Sequence, residues 1–168
     1  MLFLAHLNPC MHRKIINNNR STAISDSKNT TCPTIVWFRQ DLRLADNPAL
    51  STACEKGDII PVYILDDINS EDWAMGGASR WWLHHALESL NKSLDGKLNI
   101  FHGDPLPILT QLADQTSADS IVWNRCYEPW RINRDGNIKL ALKALDLKVE
   151  SFNGSLLWEP WQVLKKDS

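Results

Sequence analysis

Apolar and polar positions along this chain follow two different periods. Apolar runs of strand length occur five times, and they are separated by longer stretches with helical spacing. The predicted strands cover residues 35–38, 59–65, 98–102, 120–123 and 148–152, and the predicted helices cover about 47–56, 79–95, 104–117 and 131–145. Strands that alternate with helices through short links form parallel sheets covered on both faces. The pattern predicts one α/β domain on a doubly wound, five-stranded parallel sheet, Rossmann-like in architecture.

Local signals support these helix boundaries. Asn47-Pro48 and Asp104-Pro105 each place a capping side chain before a proline at the first helical position. The second helix has its apolar stripe at Leu83, Leu87, Leu90 and Leu94. We expect Ser79 to be the N-cap of this helix and its two tryptophans, at positions 81 and 82, to pack against the body.

Polar side chains follow the first and fourth predicted strands. Ligands of open α/β sheets lie beyond the carboxyl ends of the strands, where loops lead into helices. The first of these two loops contains Arg39, Asp41 and Arg43, and the fourth contains Asn124, Arg125, Tyr127 and Glu128. A single charge such as Arg43 could equally form a surface ion pair with Asp46. The two loops together, beside Trp37 and Trp123, predict a crevice for a polar, planar ligand.

Common catalytic and metal-binding motifs are missing from the sequence. There is no Walker phosphate loop, no G-x-G-x-x-G after the first strand and no G-x-S-x-G elbow. The four cysteines form no CxxC pair, which argues against a zinc site. His84 and His85 are neighbours on a helix and point about 100° apart, so we do not expect them to chelate one metal ion. The sequence predicts neither a catalytic constellation nor a metal centre.

Charge is distributed unevenly along the chain. The whole chain carries a formal charge of −2 and residues 1–31 carry +3, so the remaining 137 residues carry −5. Affinity for nucleic-acid backbones comes from Lys and Arg that neutralise phosphates. The acidic body argues against a free-standing nucleic-acid binder.

The first residues form a separate segment. Residues 1–25 contain no acidic side chain, and the apolar run at 1–5 is too short for a signal peptide or a membrane span. We expect residues 1–32 to be a disordered extension, with an organellar targeting peptide as the alternative. The scattered cysteines favour reduced thiols and a cytoplasmic location.

Four segments resemble landmarks of the photolyase/cryptochrome family, and they occur in the family's order. They are TIVWFRQDLRLADNPAL (34–50), GGASRWWLHHALESLNKSL (76–94), VWNRCYEP (122–129, followed by Arg134-Asp135) and SFNGSLLWEPWQV (151–163). The similarity is closest to the N-terminal α/β domain of class I cyclobutane pyrimidine dimer photolyases, with plant-type cryptochromes close behind.

The resemblance implies a function for the predicted crevice. In this family the N-terminal domain holds a light-harvesting antenna chromophore, which is a methenyltetrahydrofolate, a deazaflavin or a flavin. It implies that Arg39, Asp41, Arg43, Asn124 and Glu128 border the antenna pocket. Folate-using photolyases tend to have an Asn-Glu pair slightly beyond this glutamate, where this sequence has Trp130-Arg131. The resemblance therefore does not decide among the three chromophores. A pocket filled by the side chain at position 130 is a further alternative.

The resemblance also implies a division of labour. In the family, a helical domain binds FAD, contacts DNA and carries the electron-transfer chain. We expect residues 33–164 to be the antenna domain and 165–168 to begin a linker, with the helical domain missing from this sequence. Such a chain would contact DNA only through that domain, would contact no membrane, and would not perform the carbon–carbon lyase reaction alone.

Three hypotheses for function follow. The first is the antenna domain of a photolyase that repairs cyclobutane pyrimidine dimers. The second is the same domain of a cryptochrome, a blue-light sensor. The third is a stand-alone nucleotide-binding module, which would normally show the glycine-rich phosphate loop that is missing here.

The charge distribution leads to a testable prediction. Because the body carries −5, this chain should bind dimer-containing DNA no better than undamaged DNA. A gel-shift titration at low salt, with both duplexes at matched length, measures the difference. A clear preference for the damaged duplex would contradict the prediction.

Overall fold

A computed structural model describes residues 32–70 and 73–163 of the chain. It confirms the five strands and four helices, and it adds a short 3₁₀ helix at Pro160–Gln162. In chain order the elements are β1 Thr34–Phe38, α1 Pro48–Lys56, β2 Ile59–Leu65, α2 Gly77–Ser93, β3 Asn99–His102, α3 Pro105–Thr116, β4 Ser120–Asn124, α4 Pro129–Lys143 and β5 Lys148–Phe152. The predictions for residues 1–31 and 165–168 fall outside the described residues.

The five strands form one parallel sheet in the order β3-β2-β1-β4-β5. The strand at the centre, β1, is buried along its whole length and pairs with both β2 and β4. The chain first builds outward through β2 and β3, and then continues on the other side of β1. This confirms the doubly wound α/β class and places the reversal of strand order between β1 and β4, where such sheets bind ligands.

Two apolar layers cover the sheet, because alternate residues of a strand face opposite sides. Val36 and Phe38 point to the layer formed with α1 and α2. Ile35 and Trp37 point to the layer formed with α3 and α4. No helix within the described residues is both long and apolar enough to cross a bilayer.

The predicted caps are confirmed for two helices and wrong for a third. The Asn47 side chain accepts a hydrogen bond from the Leu50 N–H at 3.1 Å, and Asp104 accepts one from the Leu106 N–H at 3.2 Å. The helix α2 begins at Gly77 with Gly76 as its N-cap, two residues before the expected start, and no side chain caps it.

The expectation that Trp81 and Trp82 pack against the body is also wrong. The two side chains are 63% and 72% exposed. The helix is held to the sheet by its leucine row, whose buried members begin at Leu87. The core therefore covers little of the N-terminal half of α2, and both indoles are exposed.

A close approach joins the loop after β5 to the end of β4. Gly154 lies against the side chain of Asn124, so that a Cβ atom on this glycine would be 2.7 Å from Asn124 Cγ and 2.8 Å from its Cβ. Real Cβ atoms do not approach so closely. Only glycine therefore fits at position 154 unless the Asn124 side chain moves.

This contact makes Gly154→Ala a sharp test of the packing at this edge. We expect the substitution to lower the free energy of unfolding by about 1–3 kcal/mol, because it overpacks a buried contact. Gly136→Ala is the matched control: it lies inside α4, a Cβ there meets nothing within 4 Å, and it should raise stability by about 0.5–1 kcal/mol. Urea unfolding measures both, and equal effects would contradict the packing described.

Candidate functional site

A cleft of about 810 Å³ opens at the carboxyl edge of the sheet, between α2 and the start of α4. Its floor comes from the ends of β1 and β2, and its sides come from the loop after β2 and from the two helices. Four tryptophans line it: Trp37 from β1, Trp73 from the loop, Trp82 from α2 and Trp130 from α4. The first is buried, whereas Trp73 and Trp82 are largely exposed at the mouth.

Guanidinium groups lie over several of these rings. Arg39 is 5.0 Å from the Trp37 centroid, and Arg134 is 5.3 Å from Trp37 and 5.1 Å from Trp130. The alternation runs from the core to the surface in the order Trp123, Arg39, Trp37, Arg134, Trp130, Arg131. Cations over aromatic faces attract the ring quadrupole, so this series holds the inner wall of the cleft.

Buried carboxylates balance the two inner cations. Arg39 forms an ion pair with Asp135, and Arg134 contacts Asp66 and Asp135, each at 2.8 Å. These side chains are at most 12% exposed. Burial by itself would lower the pKa of Arg134, but the interactions with Asp135 and Asp66 outweigh it, and the pKa of Arg134 is raised. Buried charges are tolerated because they are paired in this way.

Unpaired donors remain within this compensated wall. Trp37 Nε1 and Arg39 Nε are buried and have no hydrogen-bond partner among the described residues, whereas Arg131 Nε, also without a hydrogen bond, lies 3.8 Å from a carboxylate oxygen of Glu128. All three residues line the cleft. A buried N–H without a partner is costly, but these atoms are enclosed by the wall itself, so a ligand in the cleft reaches them only if the wall rearranges.

Two of the predicted site residues, one acidic and one an amide, do not line the cleft. Asp41 and Asn124 lie behind the wall in a hydrogen-bonded cluster, where Asn124 Nδ2 donates to Asp41 at 2.6 Å and to Asn47 at 2.7 Å. The Asn124 side-chain oxygen accepts from the Ala49 N–H at 3.2 Å. The backbone oxygen of Asn124 also accepts from Arg39. These two residues position the loops and are not among the cleft-lining residues.

The two predicted arginines of the first loop do line the cleft. Arg39 is 7% exposed. Arg43 lies nearer the surface, where its guanidinium donates to the carbonyl oxygens of Asp46 at 2.9 Å and of Gly154 at 2.5 Å. It thus holds the loop after β5 as well as its own loop.

Glu128 lies at the N-cap position of α4, just outside the cleft-lining set. Its carboxylate accepts a hydrogen bond from Gln40 at 2.7 Å and lies 3.8 Å from Arg131 Nε. Burial would raise the pKa of Glu128, but hydrogen bonds from its own backbone and from Gln40 outweigh it, so its pKa is lowered. This carboxylate is ionised at neutral pH and orients Arg131 at the cleft.

One cleft residue in the loop after β2, Asp67, is not among the predicted site residues. Asp67 joins three segments there, because it accepts from Arg80 of α2 at 2.9 Å and contacts His102 at the end of β3 at 3.1 Å. The hydrogen bond from Arg80, followed by that from His102, lowers the pKa of Asp67. The position of this loop at the same sheet edge was the signal that could have identified it.

The sequence profile of the family described as DNA photolyase matches residues 34–168. A deoxyribodipyrimidine photo-lyase from Agrobacterium fabrum is 46% identical over 140 residues, which cover 81% of this chain and 29% of that protein. Cryptochrome-2 from Arabidopsis thaliana is 39% identical over 135 residues, which cover 77% of this chain and 22% of that protein.

Solved structures agree with the sequence matches. A bacterial class III photolyase from Agrobacterium tumefaciens superposes with a TM-score of 0.76 at 44% identity, covering 86% of this chain and 30% of that one. An archaeal photolyase from Sulfolobus tokodaii, solved with two FAD molecules, gives 0.64 at 27% identity, covering 72% and 29%. The chain thus spans less than a third of the length of these relatives. It belongs to the DNA photolyase family, and its described part is the N-terminal α/β domain of that family.

Proposed function

We propose that this domain is a light-harvesting antenna and that the cleft between α2 and α4 binds its chromophore. The observation that carries the proposal is a cleft at the carboxyl edge of the sheet that combines four tryptophan rings with the side chains of Arg39, Arg43, Arg131 and Arg134. The cleft volume of about 810 Å³ lies in the range of small-molecule sites, which are mostly apolar with a few convergent polar groups.

Different residues of the cleft would contact the faces and the edge of a planar ligand. Trp73 and Trp82 offer ring surfaces at the mouth. Arg43 and Arg131, which line the cleft and are partly exposed, would offer guanidinium N–H groups to acceptor atoms along its edge. A bound chromophore would supply the absorption of light and the transfer of excitation energy, and the domain's part is to fix its position on a rigid sheet edge.

The lining favours an acceptor-rich heterocycle. Carbonyl oxygens and ring nitrogens along one edge are shared by methenyltetrahydrofolate, deazaflavins and flavins, and these three remain the proposed chromophores. Trp130 forms part of the wall, and a cleft of about 810 Å³ remains beside it. This space favours a pocket that binds a chromophore over a pocket that the Trp130 side chain fills.

The proposal also covers the protein partner of this domain and the activity of the longer parent protein. We place the FAD cofactor and the DNA contact on a helical domain of the parent protein, whose activity would be light-driven repair of cyclobutane pyrimidine dimers. An exposed apolar segment after β5 supports a protein partner, since Leu157, Trp158 and Trp161 are 91%, 67% and 58% exposed. The proposed compartment is the cytoplasm.

The parent protein could instead be a cryptochrome. The identities of 46% to the Agrobacterium photo-lyase and 39% to the Arabidopsis cryptochrome favour the photolyase by a small margin. Membership of class I, which the sequence resemblance implied, stays a prediction, because one similar structure is a class III photolyase. A dimer-repair assay on the parent protein distinguishes a repair enzyme from a sensor.

Two neighbouring tryptophans of α2 provide a matched test of the cleft. Trp82 lines it and Trp81 does not, although both are exposed on the same helix. In fluorescence titrations with folate, flavin and deazaflavin, Trp82→Ala should weaken binding about tenfold, because it removes a stacking surface. Trp81→Ala should leave the affinity unchanged.

The same titrations identify the outcomes that would contradict the proposal. Equal effects of the two substitutions would place the ligand elsewhere on α2. Failure of all three chromophores to bind the wild-type chain would overturn the assignment of the cleft. Repair of dimer-containing DNA under near-ultraviolet light by this chain alone would overturn the antenna-only function.

A further inference from the structure

The outer face of α2 carries three side chains of the kinds that bind transition metals, His84, His85 and Glu88. Their ligand atoms all lie within 4.8 Å of one another. One oxygen of Glu88 is 3.5 Å from His84 Nε2, and the other is 3.0 Å from His85 Nδ1. The spacings i,i+4 and i,i+3 place Glu88 beside both histidines on the helix surface.

This geometry differs from the expectation drawn from the sequence. Adjacent residues of a helix project about 100° apart, which had argued against joint chelation by the two histidines. The imidazoles nevertheless lie with their centroids 5.3 Å apart, because both turn toward the carboxylate of Glu88. The side-chain torsions therefore bring the two imidazole rings close to each other, although the backbone directs the two side chains apart.

We propose that His84, His85 and Glu88 form a surface site for a divalent transition-metal ion of the Zn²⁺, Ni²⁺ and Cu²⁺ class. Two imidazole nitrogens and one carboxylate oxygen form a donor set suited to these ions. Mg²⁺ and Ca²⁺ prefer sites made entirely of oxygen. Three protein ligands leave at least one coordination position for water or another donor.

Only small movements are needed to close the site. Ligand atoms of a tetrahedral zinc ion lie about 3.3 Å apart, given metal–ligand distances of about 2.0–2.1 Å. The side chains of His84, His85 and Glu88 are 68%, 50% and 60% exposed, so rotation about their own bonds can bring the atoms together. Ordering exposed side chains costs conformational entropy, and we therefore expect micromolar affinity.

A neighbouring ring restricts one of the ligands. The Trp81 indole meets the His85 imidazole edge to face, with centroids 4.5 Å apart. The contact limits the orientations of His85 and places a fluorescent reporter beside the site. None of the three ligand residues lines the cleft, so the metal site does not depend on the proposed chromophore function.

The test uses the full chain without an affinity tag, treated with a chelator and desalted. Zn²⁺ is titrated by calorimetry, and Cu²⁺ is titrated by quenching of tryptophan fluorescence. We expect a saturable event of one ion per chain. His84→Asn and Glu88→Gln should each weaken it about tenfold or more. His102→Asn is the matched control, because His102 is an exposed histidine paired with the distant Asp67.

Circular dichroism of each variant checks that the fold is kept, as expected because all the substituted side chains are exposed. Loss of the event in both ligand variants, with the His102 variant unchanged, supports the site. Wild-type affinity in His84→Asn or Glu88→Gln would overturn it and assign any binding to other residues. The lack of a saturable event in the wild-type chain would overturn it directly.

Discussion

The buried side chain of Asn124 is the interaction on which the carboxyl edge of this sheet depends. At the end of β4 it donates to Asp41 in the loop after β1 and to Asn47, and it accepts from the Ala49 N–H at the start of α1. Gly154 closes over it from the loop after β5. A buried amide must satisfy its donors and acceptors. The loops after β1, β4 and β5 are therefore held in one arrangement around the Asn124 side chain. The cleft lies next to this cluster.

Much of the fold could be predicted because its signals are local. A proline after Asn47 or Asp104 marks a helix start through chemistry that spans three residues. The exposure of Trp81 and Trp82 could not be predicted in this way. A helical pattern shows which side chains share a stripe, but not which turns of the helix the rest of the domain covers.

The position of the cleft was predictable, but the contacts of its residues were not. The rule for strand ends indicated the sheet edge where the cleft opens and the two arginines that line it. The same rule does not distinguish a residue that lines the cleft from one enclosed behind it, and so it grouped Asp41 and Asn124 with Arg39; the role of these residues in binding stays a prediction. Arg134 escaped prediction as a wall residue because its partner Asp66 is 68 positions away in sequence. Such pairs are created by tertiary packing, and nothing local encodes them.

The guanidinium groups over Trp37 and Trp130 have an optical consequence. In the proposed function, the cations over these rings would keep a flat ligand from stacking on them, and Trp73 and Trp82 at the mouth would supply the stacking surfaces. Energy transfer between dyes depends on the angle between their transition dipoles. That angle would then be set by α2 and the loop before it, so two exposed indoles, rather than the buried wall, would fix the orientation of the dye.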